Sequence, residues 1–508
     1  MTATFRTGAR LRPLALIVVL SLAGCHIPAK LQHPALRDDV PLAGLPSSAS
    51  AAWPAAEWWR AYGDPQLDQV MTLVLQQSPN LEQARTRVKT AEQSVRVSAA
   101  QAGLSIQGNG QLSRQRISDH GLMPPSLLGF NWYNQADLSV QLQYDFDWWG
   151  KKRASIEAAL DQAHAAEAER SAATLSIQNA VADAYFGLLA DENRLTLTHE
   201  AIDVQQRLLR IAQLRVRQGV DLADTVEQAR AQLANTQQLQ ATLEGSIALR
   251  KVVLAALVNV SPAQLPPLAP RPLPALEGAI PDNAHLDLIA RRPDIAASRW
   301  RVEAALKQTD VARANYFPDF SINAMAGLSS TDQGAPHLGG ILTRSAGDLG
   351  NLFTAGSRVF GLTPAVHLPI FEGGRLKANY GASRAQLDAA IADYNVAVTD
   401  AARDVATQAV TAQQIAARRA RQDDQVKADA ALLANAQARA AHGTADARES
   451  LRARAQLLQQ RDQALSLHAQ ALSTDLALIK ALGGGYRSKP QPAAAVSPSP
   501  SSNPAGAP

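Results

Sequence analysis

Apolar Leu138, Val140, Leu142, Tyr144 and Phe146 alternate with polar Ser139, Gln141, Gln143, Asp145 and Asp147. A period of two, with one apolar and one polar face, predicts a strand whose sides meet different media. Phe320, Ile322, Ala324, Ala326 and Leu328 repeat the pattern more weakly, and Val366, Leu368 and Ile370 carry it into a further strand. Elsewhere the period lengthens. Leu222, Val226, Ala229, Leu233, Leu243, Ile247, Leu254 and Leu257 follow a four-three spacing, interrupted by Thr236, Gln240 and Arg250. A second such row reads Leu451, Ala455, Leu458, Asp462, Leu465, Ala469, Leu472, Leu476 and Ile479. A period of roughly 3.5 residues is the seam of packed helices, and its role is architectural. No proline lies between Pro125 and Pro262 or between Pro369 and Pro490. Because proline costs about 3 kcal/mol inside a helix, these are permissive windows. A helix from Lys151 to Gln218 would be about 100 Å long.

The same landmarks occur twice. Ser78-Pro79-Asn80-Leu81 and Arg292-Pro293-Asp294-Ile295 open helical stretches 214 residues apart. Gly150 matches Gly374 and Gly219 matches Gly443, both at an offset of 224, so about ten residues are inserted between the first two landmarks. Each copy reads as helix, two strands, very long helix, glycine turn and returning helix. The turns are Arg215-Val216-Arg217-Gln218-Gly219 and Arg439-Ala440-Ala441-His442-Gly443. Glycine supplies the left-handed residue that ends a helix, and basic residues suit its negative dipole end. Asp221 and Thr444 then open the returning helices. The expected organisation is a signal peptide over 1–24, an N-terminal arm over 25–64, a first repeat over 65–260, a Pro-rich connector over 261–284, a second repeat over 285–482, and a disordered Gly-, Pro-, Ser- and Ala-rich tail over 483–508.

Composition sharpens this picture. Of 508 residues only 5% are aromatic, as suits extended helices. Arg6, Arg10 and Arg12 precede an apolar run, Leu14 to Leu20, and then Leu22-Ala23-Gly24-Cys25. That order is a secretory signal. The lone Cys after Leu-Ala-Gly resembles the lipobox of bacterial lipoproteins, which makes Cys25 the acylated N-terminus; His26, rather than Asp, in the next position favours the outer membrane. Removing the three arginines reduces the formal charge of +4 to about +1, and no concentrated basic face exists for nucleic acid. A single Cys excludes a disulfide framework and a multi-thiolate metal site. Beyond residue 25 no apolar run reaches the length of a transmembrane helix.

Catalytic patterns are missing from the sequence. The ten His residues are scattered, with no His-Glu-x-x-His pair and no Gly-x-Ser-x-Gly elbow. Gly108-Asn109-Gly110 lacks the third Gly of a dinucleotide loop and reads as a strand or turn feature. Asp145 and Asp147 read as lumen-lining acids. Neither a cofactor, a metal nor a catalytic residue is expected. The strands, near ten residues long and flanked by Trp132, Tyr133, Trp148 and Trp149, fit a membrane β-barrel. Four strands cannot close one, and in lipid every edge must be paired. If these strands span a membrane, several chains must share a barrel; the alternative is a water-soluble sheet with one face packed on a core.

Four motifs in order then carry a resemblance. They are Trp58-Trp59 with Gly63-Asp64-Pro65-Gln66-Leu67; Tyr144-Asp145-Phe146-Asp147-Trp148-Trp149-Gly150; Arg292-Pro293-Asp294-Ile295 with Ala312-Arg313-Ala314-Asn315-Tyr316-Phe317-Pro318; and Leu368-Pro369-Ile370-Phe371-Glu372-Gly373-Gly374-Arg375. From Cys25 to about Leu482 the chain resembles the TolC-type outer-membrane efflux proteins, in their lipoprotein branch. The resemblance implies a mainly α fold with a membrane β-barrel: a homotrimer with a barrel of about twelve strands, continued by a coiled-coil α-helical periplasmic tunnel. It implies passive exit of compounds delivered by a periplasmic adaptor and an inner-membrane transporter of the resistance-nodulation-division type. The hairpin tips, Arg217, Gly219, Asp221, Arg439, Gly443 and Thr444, would meet the adaptor.

In that family an acidic cluster beyond the second tip glycine rings the narrow mouth. Glu449 sits at one matching place, while Arg452 stands where the family often has Asp. A mixed ring of Glu449 with Arg452, or with Asp446, is the implied gate, with Asp224 and Glu227 as weaker candidates. The plainer alternative is a solvated helix face, where such pairs contribute under about 1 kcal/mol. An adaptor lipoprotein or a structural coiled-coil lipoprotein is the alternative for the whole chain.

Overall fold

A computed structural model describes residues 34–37, 52–120, 125–128, 130–276, 284–333 and 349–487. The expected signal peptide, the acylation site Cys25 and residues 488–508 lie outside the described residues. The first half runs α1 (Pro65–Gln77), α2 (Pro79–Ala102), β1 (Ser105–Arg116), β2 (Trp132–Phe146), α3 (Lys151–Arg217) and α4 (Asp224–Val258). The second half runs α5 (Ala284–Arg291), α6 (Pro293–Ala314), β3 (Asp319–Gln333), β4 (Arg358–His367), α7 (Arg375–Ala441) and α8 (Ala447–Ala481). The copies match in length as well as order: α3 and α7 have 67 residues each, and α4 and α8 have 35 each. Residues 334–357 join β3 to β4 where 117–131 join β1 to β2, so the inserted residues fall in that connection.

Three expectations are corrected at element ends. The returning helices begin at Asp224 and Ala447, not at Asp221 and Thr444. Asp221 is bound by a guanidinium instead of capping, whereas Asp446 caps α8 by accepting from the Arg448 N–H at 2.9 Å. The strand β4 stops at His367, so Leu368 and Ile370 lie beyond it; Pro369 has no N–H to continue a ladder. Asp147 lies past the end of β2, where its carboxylate accepts from the Lys152 and Arg153 N–H groups at 2.9 Å each. It satisfies the open N-terminus of α3 from a position one residue beyond the strand's alternation.

The described residues form two compact units. The first holds the strands. They make one antiparallel sheet in the order β1-β2-β3-β4, and β2–β3 is the pairing that joins the two repeats. Gly108-Asn109-Gly110 lies within β1, opposite Val140, Ser139 and Leu138. The register sorts the side chains. Leu138, Val140, Leu142, Tyr144 and Phe146 face across to Leu328, Ala326, Ala324, Ile322 and Phe320, and through them to Phe360, Leu362 and Val366. Gln141, Gln143 and Asp145 stand with Met325, Asn323 and Ser321 on the opposite, mostly polar face. Among the described residues nothing covers the apolar face: Phe360 is 87% and Leu112 71% exposed. Aromatic rings gather at one end, with Tyr144–Phe146 at 5.0 Å, Trp148–Phe320 at 4.1 Å and Trp149–Phe317 at 4.6 Å between centroids. At the other end Arg114 lies over Trp132.

The second unit is helical. Its core gathers Trp58, Trp59 and Tyr62 with Leu67, Val70 and Met71 of α1, Tyr185 to Leu189 of α3, Leu254 of α4 and Leu472 and Leu476 of α8. Buried hydroxyls find acids, as burial requires: Tyr62 donates to Asp475 and Tyr185 to Asp64, both at 2.6 Å. The expectation of disorder from residue 483 is corrected in part. Residues 483–487 form a turn in which Gly483 and Gly484 are buried, and Tyr486 packs against Ala168, Ala296 and Ala297. A Cβ on Gly484 would overlap Leu175, so glycine content here reflects close packing and not looseness.

Candidate functional site

The two hairpin tips close in the same way. Gly219 and Gly443 take φ of 71° and 67°. The Val220 N–H reaches the Arg215 carbonyl and the Thr444 N–H the Arg439 carbonyl, at 2.9 and 3.0 Å, while the glycine N–H groups bond Val216 and Ala440. This is the Schellman closure, which satisfies carbonyls left open at a helix end.

Charged side chains then tie one tip to the other. Arg215 grips Asp221 through two hydrogen bonds, Nε to Oδ2 at 2.7 Å and Nη2 to Oδ1 at 3.0 Å. Arg448, from the second tip, donates to the same Asp221 at 3.2 Å and to Asp446 at 2.7 Å. Arg215 also lies 3.9 Å from Asp446. The cluster is partly shielded, with the Asp221 side chain 15% exposed. Hydrogen bonding from Arg215, then the fields of Arg215, Arg448 and Arg452, hold the Asp221 carboxyl below the usual carboxylate range. Asp446 is lowered too, first by the Arg448 N–H and then by its guanidinium.

The sequence-predicted residues fall into three groups. Asp221 and Asp446 belong to the cross-tip cluster. Glu449 forms an ion pair with Arg439 within the second hairpin, and the Thr444 hydroxyl donates to the Arg439 carbonyl at 3.0 Å. Asp224 and Arg217 are exposed, Glu227 pairs with Arg230 on its own helix, and exposed Arg452 lines the groove that runs back from the tips. Sequence reasoning missed Arg215 and Arg448 as the bridging cations. The available signal was Asp446-x-Arg448, an acid and a base that can meet across one helix start.

An apolar sheet face open to its surroundings, two sheet edges without a partner among the described residues, and paired helical hairpins with charged tips define a membrane channel protein that further copies complete. The family model for outer membrane efflux proteins matches residues 70–260 and 286–484, and the chain belongs to that family. The multidrug resistance outer membrane protein MdtP of Escherichia coli O6:H1 is 32% identical over 472 residues, 92% of each chain. MdtQ of Escherichia coli O157:H7 is 31% identical over 482 residues, covering 92% of this chain and 97% of its own. The solved outer membrane protein VceC of Vibrio cholerae is 31% identical with a TM-score of 0.73, spanning 85% of this chain and 100% of its own. The chain is an outer-membrane efflux channel of the TolC type, with a trimeric barrel and a helical periplasmic tunnel. Nothing supports the adaptor alternative.

Proposed function

We propose that this channel is the outer-membrane exit of a tripartite pump, through which antimicrobial compounds leave after delivery by a periplasmic adaptor and an inner-membrane transporter of the resistance-nodulation-division type. The observation that carries the reading is the sheet, whose apolar face needs lipid and whose two edges need neighbours. Three copies of four strands make one closed barrel, and closure removes every unpaired backbone group from the hydrocarbon. Acylated Cys25 adds a hydrophobic anchor. The tips meet the adaptor and form the gate, where Arg448 holds the second hairpin to Asp221 of the first. Opening breaks that bridge, while the within-hairpin pairs Arg215–Asp221 and Arg439–Glu449 travel with their own helices. The energy comes from the partner pump; the channel contributes a path.

Detergent-solubilised protein should migrate as a heat-modifiable trimer and conduct ions in planar bilayers. A water-soluble monomer that never conducts would refute the assignment to this chain. Crosslinking in vivo from positions 220 and 444 should capture adaptor, and loss of the chain should lower resistance to several unrelated antibiotics.

A further inference from the structure

The basic residues of the sheet are sorted by face and by end. Among the described strand residues they are Arg114 and Arg116 of β1 and Arg358 of β4, with no lysine. The register puts all of them on the apolar face: Arg114 stands opposite Asn134, Arg116 opposite Trp132, and Arg358 in the row of Leu328 and Leu138. The acids Asp137, Asp145 and Asp319 belong to the polar face, while Asp332 takes the apolar-face register beside Asn134. Strands β2 and β4 lead into α3 and α7 at Phe146 and His367, so Arg116, Trp132 and the start of β4 lie at the end away from the periplasmic helices. Trp132 marks that end as a membrane–water interface, the level at which barrel aromatics form a girdle. Arg114 lies over its ring at 5.3 Å, and Arg116 is its cross-strand neighbour. Arg116 also pairs with Asp119 at 3.0 Å, an exposed contact of the weak kind.

We propose that this rim binds the phosphorylated glycolipid headgroups of the outer leaflet, with phosphate oxygens on Arg114 and Arg116 and acyl chains along Leu112, Leu138 and Val140. Charged side chains on a lipid-facing surface cost least near the interface, where a long stem lies on apolar surface and the head reaches polar groups. A headgroup phosphate is the polar group of opposite sign at that level, and the fork of a guanidinium matches it in shape. The other end of the same face carries Phe146, Phe320 and Val366 and no arginine or lysine in its strands, so the charge selects one leaflet. Assembly strengthens the site. The sheet's edges are β1 and β4, and closing the barrel sets Arg358 of each copy beside β1 of the next. Side chains keep their face when strands pair, so neighbouring copies add cations to this surface without covering it. The proposal rests on the outer-membrane barrel and is independent of which pump delivers the exported compounds.

The test is native mass spectrometry of the full-length trimer, stripped of lipid in detergent and titrated with diphosphoryl lipid A. Dephosphorylated lipid A should bind at least about tenfold more weakly, the worth of one charged hydrogen bond. Phosphatidylglycerol should also bind more weakly, and inorganic phosphate, which has no chains for the apolar face, should not displace the glycolipid. Arg114→Gln with Arg116→Gln should weaken diphosphoryl lipid A by a similar factor and leave the dephosphorylated form unchanged, and the paired lysine variants should retain most of the binding. Arg153→Gln, just inside α3 at the periplasmic end, should change neither. Equal binding of the two lipid A forms, phosphatidylglycerol bound as tightly as lipid A, unchanged binding in the paired glutamine variant, or an equal loss in Arg153→Gln would each overturn the site. Conduction by a trimer that binds no lipid A would overturn the site and leave the conduit standing; binding by a trimer that never conducts would do the reverse.

Discussion

The two hairpin tips share a backbone and differ in charge. Both end a 67-residue helix on a left-handed glycine with the same pair of closing bonds. At the offset of 224, however, the second copy has Ala445 where the first has Asp221, Arg448 where it has Asp224, and Arg452 where it has Gln228. The equivalent arginines Arg215 and Arg439 consequently find different acids, one just past its glycine and one in the next helix. Apolar exposure differs too, since Val220 and Leu222 of the first tip are 56% and 77% exposed while Thr444 and Asp446 replace them in the second. Duplication kept what closes a hairpin and let the charges segregate. An acid on one tip and a base on the other make a bond that identical tips could not make.

The strongest way to break this comparison is to remove the cross-tip cation. Arg448→Ala should raise single-channel conductance several-fold, and Asp221→Ala should do nearly the same. The double variant should add little, because both changes remove one contact. Fully additive effects would show that the two residues act separately. Arg439→Ala should raise conductance less, since Glu449 and Arg439 belong to the same hairpin and need not part on opening. The same measurement on Glu449→Ala with Arg452→Ala then asks whether charges between copies also hold the mouth. A rise larger than that of Arg448→Ala would move the gate from within the chain to between chains.

The shared backbone gives a sharper, smaller prediction. Gly219→Val and Gly443→Val should each cost about 1–2 kcal/mol, because a β-branched residue resists the left-handed conformation. Thermal melts of the two variants should shift by similar amounts. A large difference would mean that the tips are not equivalent even in their main chain.

How much of this was legible without coordinates follows from the range of the forces involved. Periods of two and of roughly 3.5 residues are local and specify elements, so the strand at Leu138–Phe146 and the long helices could be read directly. The glycine turns could be placed for the same reason. Helix starts could not, because Asp221 has the chemistry of a cap and only the presence of Arg215 on the preceding turn decides its role. Arg448 was invisible for a related reason: its partner lies 227 positions away. The tail misled because three successive glycines look like a linker, whereas Gly483 and Gly484 are there to fit against Arg291 and Leu175. Family likeness supplied the trimer and the gate region, but it gave no view of which acids were already neutralised within one chain.

Acidity gives the smallest effects and separates the tips from the strand-bearing unit. Asp221 and Asp446 have carboxyls lowered in the folded state, so their contribution is complete above the ordinary carboxylate range. It is lost only as pH falls through the lowered values, where the unfolded chain already holds its protons. Asp161, in the other unit, goes the opposite way: burial, then the field of Glu303, pushes it up to about 6, against a smaller lowering by Lys307. Folding there favours the neutral acid, so its stability term is fullest below about pH 4 and declines as pH rises through about 6. Asp161→Asn should therefore raise the melting temperature at about pH 7.5, with the gain shrinking toward zero near pH 4. Conductance should stay flat over that same interval, because the cross-tip acids remain ionised throughout it. A gain that persists in acid would show that Asp161 is held by packing and not by its charge, and a channel that opens between about pH 6 and 4 would place the acid-sensitive group somewhere other than Asp221.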